Sequence, residues 1–545
     1  MAEEFDLIVV GGGSAGCAMA GRLAEDGRYR VLLVEAGATD RHIRSRIPAL
    51  TSAVVQHPDF DWCYKTEPDP SIGGRADVWP GGKRLGGGSA INGMMFIRGN
   101  AWDYDHWAEL GAKDWDYASV LPYFRRMEDN ERGADAWRGK GGPLSVSEGR
   151  ARYPITDAWI EAAVAAGYPR SKDLNGEKGE GVDYVQVSQR SGMRCSSAAA
   201  YVHGSKHRER LEVLLEAQVT KILTEDRRAV GIAWRDKEGR DREIRARHGV
   251  VLSAGSMNSP RMLMLSGIGP AAHLAEMGIP LVHDLPGVGR NLQDHVGTHL
   301  VNEVDAATLN ADARGLRGAL QVAKYALGRT GALTTSIAHA QALVNSDPAK
   351  YPAPNLQIAF AAFAFDLDAQ GKLVLRANPS VSTLIGLMRT SHRGRITLRS
   401  ADPFAPPRIE HRLLGSDEDI EQIVDGIFIA RRIMQQAPIA RHVKGEIRPG
   451  AALDSREALR EYVKLASIPL YHPVGTCKIG PAEDPMAVLD ADLRVRGIDG
   501  LWVADASIMP SLPSGNTNAT SIMIGDKGSD HVLRTLRDNR VKAAA

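Results

Sequence analysis

The chain has 545 residues, with 67 Lys or Arg against 66 Asp or Glu, a net charge of +1. That length predicts two or more domains, and the near-zero charge excludes a large nonspecific field for nucleic acid or anionic membrane, though not a local basic patch. Four cysteines (Cys17, Cys63, Cys195 and Cys477) with no close pair exclude a disulfide scaffold and leave no expected metal site. The N-terminal MAEEFDLIVV lacks the pattern of a secretory leader, and no apolar run approaches the roughly 18 residues of a membrane span. A soluble, reduced, cytoplasmic protein is the expectation. Glycine stands out at 56 residues, and it falls in clusters.

The first cluster sits in a strand–turn–helix–strand pattern. FDLIVV (residues 5–10) reads as a buried parallel strand, GGGSAG (11–16) as a tight turn, and the small-faced segment after it as a helix. YRVLLVEAG follows as a second strand ending at Glu35. Gly11 suits the turn, Gly13 a close approach of backbone to pyrophosphate, and Gly16 the packing of helix on sheet. The helix N-terminus favours phosphate. Glu35 is placed to accept from ribose hydroxyls and would repel a 2′-phosphate, which argues against NADP. FAD and NAD both remain open from this unit alone.

The second cluster, PGGKRLGGGSAINGMMFIRGN (80–100), predicts backbone in close approach to something flat or charged. Leu211 to Arg245 alternates as a β-meander, and VVLSAG follows as another buried strand. Ser259-Pro260 predicts a helix start, with proline in the first helical position. Leu316, Leu320, Ala323 and Leu327 share one helical face, read as packed on its own domain rather than on a membrane. PNLQIAFAAFAF (354–365) and RITLRS (395–400) read as strands. Ser416 and Asp419 form a capping box for a helix with Ile420, Ile423, Val424, Ile427 and Met434 on one side and Pro438 beyond its end. In LASIPLYHPVGTCKIG, His472 precedes a Pro and a Gly-Thr turn. LWVADAS reads as a strand ending in Asp505, and NTNATSIMIG as a helix start with Asn516 or Thr517 near its cap. The final LRDNRVKAAA is expected to fray. Cys477, with no base of its own, reads as a small core residue.

Together these segments resemble the glucose–methanol–choline oxidoreductase family of flavoproteins, over almost the whole chain. GKRLGGGSAINGMMFIRGNAWDYD (82–105) is similar to one family signature and GSMNSPRMLMLSGIG (255–269) to another; LPGVGRNLQDH, YHPVGTC and NTNATSIMIG also match. The overall likeness is to the bacterial choline-dehydrogenase-like branch. The resemblance implies an α/β plus α+β fold: a Rossmann-like FAD-binding domain with an inserted substrate domain of antiparallel sheet and helices. On this reading residues 1–153, 211–298 and 470–545 bind FAD and complete the catalytic part, and residues 154–210 and 299–469 form the substrate domain. It carries over to Gly11, Gly13, Ser14, Ala15, Gly16, Glu35 and Ala36 for the adenosine diphosphate half. Gly87, Ser89, Asn92 and Gly93 would lie near the flavin, and Val219 would hold the adenine through its backbone. Asp505 and Ala506 would meet the pyrophosphate and ribityl chain, with Thr517 and Asn518 nearby. Some members attach FAD through a His just before the Asn of the first signature. Here that position is Ile91, so noncovalent FAD is expected.

The resemblance also places His472 and Asn516 opposite the flavin as the catalytic pair. A neutral imidazole, reference pKa about 6.5, can take the hydroxyl proton of an alcohol near neutral pH. An amide N–H can stabilise the developing alkoxide. The expected function is FAD-dependent oxidation of a primary alcohol to an aldehyde, by a dehydrogenase or an oxidase, with hydride passing to flavin N5. The activity limb of such a base is expected between about pH 5.5 and 7.5. The family's fold also carries lyases of the hydroxynitrile type and a light-driven decarboxylase, so a lyase is the alternative. A flavin-containing binding protein is disfavoured by the polar pair. The partners implied are a small alcohol and an electron acceptor (oxygen, a quinone or another carrier), with no nucleic acid and no integral membrane segment; a homo-oligomer is possible. PNLQIAFAAFAF, with Phe360, Phe363 and Phe365, is expected to wall the pocket and to favour an uncharged or aromatic alcohol over a quaternary ammonium.

Overall fold

The computed structural model describes residues 4–367 and 373–544. Its main elements, in chain order, are β1 (Glu4–Val10), α1 (Ser14–Glu25), β2 (Val31–Val34), β3 (Gly181–Tyr184), β4 (Leu211–Leu214), β5 (Gln218–Glu225), β6 (Arg228–Arg235) and β7 (Asp241–Leu252). There follow α2 (Gly255–Leu265), β8 (Val296–Val304), α3 (Gly315–Gly328), β9 (Ala340–Val344), β10 (Leu356–Ala361) and β11 (Ser380–Leu387). The last are α4 (Asp417–Met434), β12 (Val443–Arg448), β13 (Ile468–Pro469), β14 (Leu501–Val503) and α5 (Asn518–Ala544).

Two seven-stranded sheets organise the molecule. The first has the order β4-β2-β1-β7-β6-β5, with β14 also beside β7. Its centre is parallel: β1 pairs with β2 and β7, β2 with β4, and β7 with β14. Strands β1 and β2 are almost wholly buried, as a parallel sheet covered on both faces requires. The expected meander begins only at β5, since Leu211–Leu214 forms β4 on the far edge, parallel to β2; its last strand and the following buried strand are one element, β7. The first half of β7 runs antiparallel to β6, and residues 249–252 run parallel to β1. Gly249 lies between the halves at φ +140°, where a Cβ would collide with the Gly500 carbonyl. The C-terminal ends of β1, β7 and β14 meet at one edge, the usual place for a ligand in such a sheet.

The second sheet is antiparallel, in the order β12-β8-β11-β10-β9-β3, with β13 on β8. Helix α4 lies against it, and Gly426 permits the approach, since a Cβ there would strike Ile385. The Ser416 hydroxyl caps α4 by accepting from the Asp419 amide at 3.2 Å. The Asp419 carboxylate binds the Ser391 and Gly415 amides, tying the cap to the loop after β11.

Three local expectations are revised. Helix α2 begins at Gly255, so Pro260 is interior and not at the first position. An interior proline leaves the carbonyl four residues back without its N–H. Here the Thr476 hydroxyl donates to the Ser256 carbonyl at 2.6 Å and takes that place. The final segment continues α5 as helix to Ala544. On α3, Gln321 and Tyr325 are the buried residues, while Leu316 and Leu327 are 92% and 91% exposed, so its apolar face does not pack on its own domain. Among the described residues, no helix is long and apolar enough to cross a membrane.

Candidate functional site

The glycine clusters pack backbone on backbone. The Gly86 amide donates to the Gly12 carbonyl at 2.6 Å, and a Cβ at Gly87 would sit against Gly13. Gly11, at φ +99°, lies where a side chain would strike Ser253. Helix α1 opens at Gly13 with no side-chain cap and no acid in its first turn. Its free N–H groups and partial positive charge are thereby left for an anion. Space beside Gly13 and Gly88 is open, with nothing closer than 3.8 Å to a Cβ at the first and nothing within 4 Å at the second. Flat or phosphate-bearing groups can lie directly on backbone there, and the residues present fit FAD.

The other residues assigned to the cofactor gather around this edge. The Glu35 carboxylate accepts from the Gly12 amide at 2.9 Å and the Gly37 amide at 2.7 Å; Ala36 lies between Glu35 and Gly37 in the chain. Each oxygen keeps a second lone pair for a ribose hydroxyl. Burial raises the Glu35 pKa, opposed by those two N–H groups. The Ala217 amide donates to the Glu35 carbonyl at 3.0 Å, bringing Val219, on edge strand β5, to the same end. The Ser14 hydroxyl donates to the Asn518 side chain at 2.9 Å, which joins the start of α1 to the start of α5. The Thr517 carbonyl, one residue before, accepts from Ser521. Asp505 accepts from the Gly255 amide (2.9 Å), the Ser259 hydroxyl (2.5 Å) and the Ser507 amide (2.7 Å); Ala506 follows it in a short 3-10 turn. Ser89 accepts from the Ser197 amide at 2.9 Å. Asn92 is held by Arg194 at 2.7 Å, and Gly93 accepts from Ser336 at 2.5 Å. Ile91 packs against Val54 and Phe60.

His472 and Asn516 come together. The Asn516 Nδ2 lies 3.0 Å from His472 Nε2. The other ring nitrogen, Nδ1, lies 2.9 Å from Nδ1 of His295. His295 Nε2 in turn lies 3.1 Å from the Met388 carbonyl. A carbonyl only accepts, so His295 carries its proton on Nε2 and presents a bare Nδ1. His472 must then carry its proton on Nδ1, which leaves Nε2 as an acceptor facing Asn516. Beyond Asn516, the Gln357 amide donates to Asn516 Oδ1 at 3.3 Å and to Gln341 Oε1 at 2.6 Å. That fixes which end of the Asn516 amide points at His472. Burial lowers the His472 pKa to about 4 and holds His295 well below its usual value. Both rings are neutral at neutral pH.

The turn that presents His472 is strained: Tyr471 sits at φ +64°, a left-handed conformation costly for a bulky residue. The His472 amide donates to Asp294 Oδ1 at 2.6 Å. Asp294 is fully buried, and burial raises its pKa to about 8. His295, Asp294, Gln357, Gln341 and Arg194 had no assigned role. Asp294 and His295 lie inside LPGVGRNLQDH, and Gln357 was visible as a polar residue in an apolar strand. Buried Arg194 bonds the Ser45 and Ser89 carbonyls, Asn92 and Thr51, clamping the second glycine cluster.

The aromatic wall expected from PNLQIAFAAFAF is not what faces this pair. Strand β10 alternates, and Gln357 turns toward Asn516. Phe360, on the other face, stacks on Trp159 at 5.1 Å, and Phe363 packs against His339 and Phe365. Among the described residues there is no cluster of metal-binding side chains.

Comparison with known proteins matches residues 5–297 and 390–525 to the N- and C-terminal family models for GMC oxidoreductase. The oxygen-dependent choline dehydrogenase of Brucella anthropi is 42% identical over 532 residues, covering 97% of this chain and 96% of that protein. The protein of the same name from Rhizobium rhizogenes is 38% identical, covering 98% and 97%. Among solved structures, pyridoxine 4-oxidase from Mesorbium loti superimposes with a TM-score of 0.86 at 29% identity, covering 96% of this chain and 98% of that one. Aspergillus oryzae formate oxidase superimposes with a TM-score of 0.90 at 26% identity, covering 98% and 99%.

Proposed function

We infer the reaction from one premise: the chain belongs to the GMC oxidoreductase family, whose two family models together match most of its length. It is an FAD-dependent oxidoreductase acting on CH–OH donors. The reading we propose is oxidation of an uncharged primary alcohol to the aldehyde, with His472 as the base, Asn516 as the hydrogen-bond donor and FAD held noncovalently. The observation that carries it is the chain of contacts from His472 Nδ1 through His295 to the Met388 carbonyl, which puts the His472 proton on Nδ1 and leaves Nε2 an unprotonated acceptor facing Asn516.

Oxidation of R–CH2–OH removes a proton from oxygen and a hydride from carbon. When bound, FAD supplies the acceptor for the hydride. Gly11, Gly13, Ser14, Ala15, Gly16, Glu35, Ala36 and Val219 would hold its adenosine diphosphate half. Gly87, Ser89, Asn92, Gly93, Asp505, Ala506, Thr517 and Asn518 would hold the rest. Ile91, an aliphatic residue packed on Val54 and Phe60, offers no nucleophile for attachment. A hydroxyl that replaces the direct 3.0 Å contact between Asn516 Nδ2 and His472 Nε2 gives its proton to Nε2 and accepts from the Asn516 amide as negative charge grows on oxygen. The low pKa keeps that nitrogen bare at neutral pH. Gln357 and Gln341 orient the amide, and His295 orients the ring. The division into a discontinuous FAD-binding part and an inserted substrate part is likewise a proposal, supported by the parallel sheet drawing on both ends of the chain.

An uncharged alcohol is favoured by what surrounds His472. Its hydrogen-bonded neighbours are one amide (Asn516), one imidazole (His295) and one carboxyl, Asp294, whose raised pKa keeps it largely neutral near pH 7. A quaternary ammonium would lose hydration without gaining a carboxylate there. The test is anaerobic mixing of purified holoenzyme with benzyl alcohol, pyridoxine and choline, following flavin absorbance. Bleaching by an uncharged alcohol, and more slowly by choline, is the expected result. Bleaching by choline alone overturns the substrate reading, and a flavin left oxidised by every primary alcohol tested overturns the redox reading.

A further inference from the structure

Helix α3 is turned the wrong way round for a helix that serves a core. Its 14 residues form about four turns. Gln321 and Tyr325 hold it down. Gln321 accepts from the Ala332 amide at 3.0 Å and donates to Asp312 at 3.2 Å, and the Arg329 guanidinium lies over the Tyr325 ring. Leu316, Leu320, Ala323 and Leu327, spaced at i, i+4, i+7 and i+11, lie on the opposite side. Leu316 and Leu327 are almost fully exposed, and Leu320 and Val322 are more than half exposed. Single exposed leucines need no explanation, but a row of them on one helix does.

The charges around this row have one sign. Arg317 and Lys324 flank it, while Arg314 donates to the Leu375 and Arg376 carbonyls and Arg329 lies over Tyr325; residues 313–346 contain no Asp or Glu. Among the described residues none of the four cations has a carboxylate partner. We propose that α3 is an interfacial helix by which the enzyme docks reversibly on an anionic lipid surface, leucines in the acyl boundary and cations among the headgroups. A second copy of the chain is a poorer occupant: a two-fold interface through α3 would set Arg317 and Lys324 against the same two cations. The molecule's net charge of +1 gives no sign of this, because the patch is local. The segment after α3 runs directly to Gly93, where Ser336 donates to its carbonyl and half-exposed Ile337 covers it. Docking would thus turn this side of the site toward lipid, whether or not the redox reading of His472 holds.

The test is sedimentation of holoenzyme with phosphatidylcholine vesicles and with vesicles containing phosphatidylglycerol. Wild type is expected to sediment with the anionic vesicles only, and to be released by salt as the attraction is screened. Replacing Leu316, Leu320 and Leu327 with Ser should lower partitioning by at least about tenfold, and Arg317→Glu with Lys324→Glu should abolish it. All these side chains are exposed, so FAD content and alcohol turnover in solution should not change. No sedimentation of wild type with anionic vesicles overturns the proposal, as does sedimentation that survives the leucine substitutions. A wild-type dimer that those substitutions dissociate would show that another copy covers α3.

Discussion

If His295 sets the tautomer of His472, removing its acceptor should cost activity without touching substrate or flavin. Consider His295→Leu. The ring of His472 loses the acceptor for its Nδ1 proton, now 2.9 Å away, and the Met388 carbonyl loses its donor. A buried donor left unpaired costs about 1–3 kcal/mol. His472 escapes that cost by moving its proton to Nε2 or by turning, and either change removes the bare Nε2 from the site. At about 1.4 kcal/mol per tenfold, kcat should fall by roughly 10–100-fold, the range typical of residues that orient a histidine through its other nitrogen. His295→Gln keeps one acceptor and one donor and should restore most of the loss.

The assay is steady-state turnover with an uncharged primary alcohol, alongside FAD content and melting temperature. The expected pattern is specific: kcat low in His295→Leu, KM little changed, FAD retained, and recovery in His295→Gln. A purely structural role for His295 would instead lower FAD retention and melting temperature and leave the kcat of the remaining holoenzyme alone. Wild-type kcat in His295→Leu, or equal loss in the Leu and Gln variants, refutes the tautomer argument.

His472→Ala should keep FAD and lose about 10²–10⁴-fold in kcat/KM, and Asn516→Ala about 10²–10³-fold. Burial moves the activity limb below the range of about pH 5.5–7.5 expected from the sequence: in wild type, kcat/KM should be flat through neutral pH and fall only as pH drops through about 4, since the base works unprotonated; a limb near the ordinary histidine value of about 6.5 would show that water reaches His472. Asp294 binds more protons folded than unfolded between about pH 4 and 8, so it lowers stability as pH rises across that window. Asp294→Asn, which keeps a carbonyl for the His472 amide, should remove that slope in melting temperature between about pH 5.5 and 8.5, and an unchanged slope would mean that Asp294 is ionised throughout.

What the sequence discloses about this site follows from the range of each constraint. The turn at Gly11–Gly16 is legible because the strand, the glycines, the helix and Glu35 lie within about thirty residues, and each residue type answers a local steric or electrostatic demand. The cap at Ser416 is legible for the same reason. His472 and Asn516 are recognisable only through motifs, because nothing local explains a histidine after a left-handed tyrosine. The groups that make His472 a base are further away still. His295 is 177 residues from it, and Gln357 is 159 residues from Asn516. No periodicity connects them, and the strand carrying Gln357 reads as an apolar wall because all its other residues are apolar and both its faces are buried. The start of α2 fails differently. Proline is placed by its usual preference, while the compensating Thr476 hydroxyl arrives from the far end of the chain. Helix α3 shows the limit of pattern itself: the spacing of its leucines is a sound helix signal, but spacing does not say which side of a helix faces the protein. Here Gln321 and Tyr325 settle that, and they leave the apolar side in need of something outside the fold.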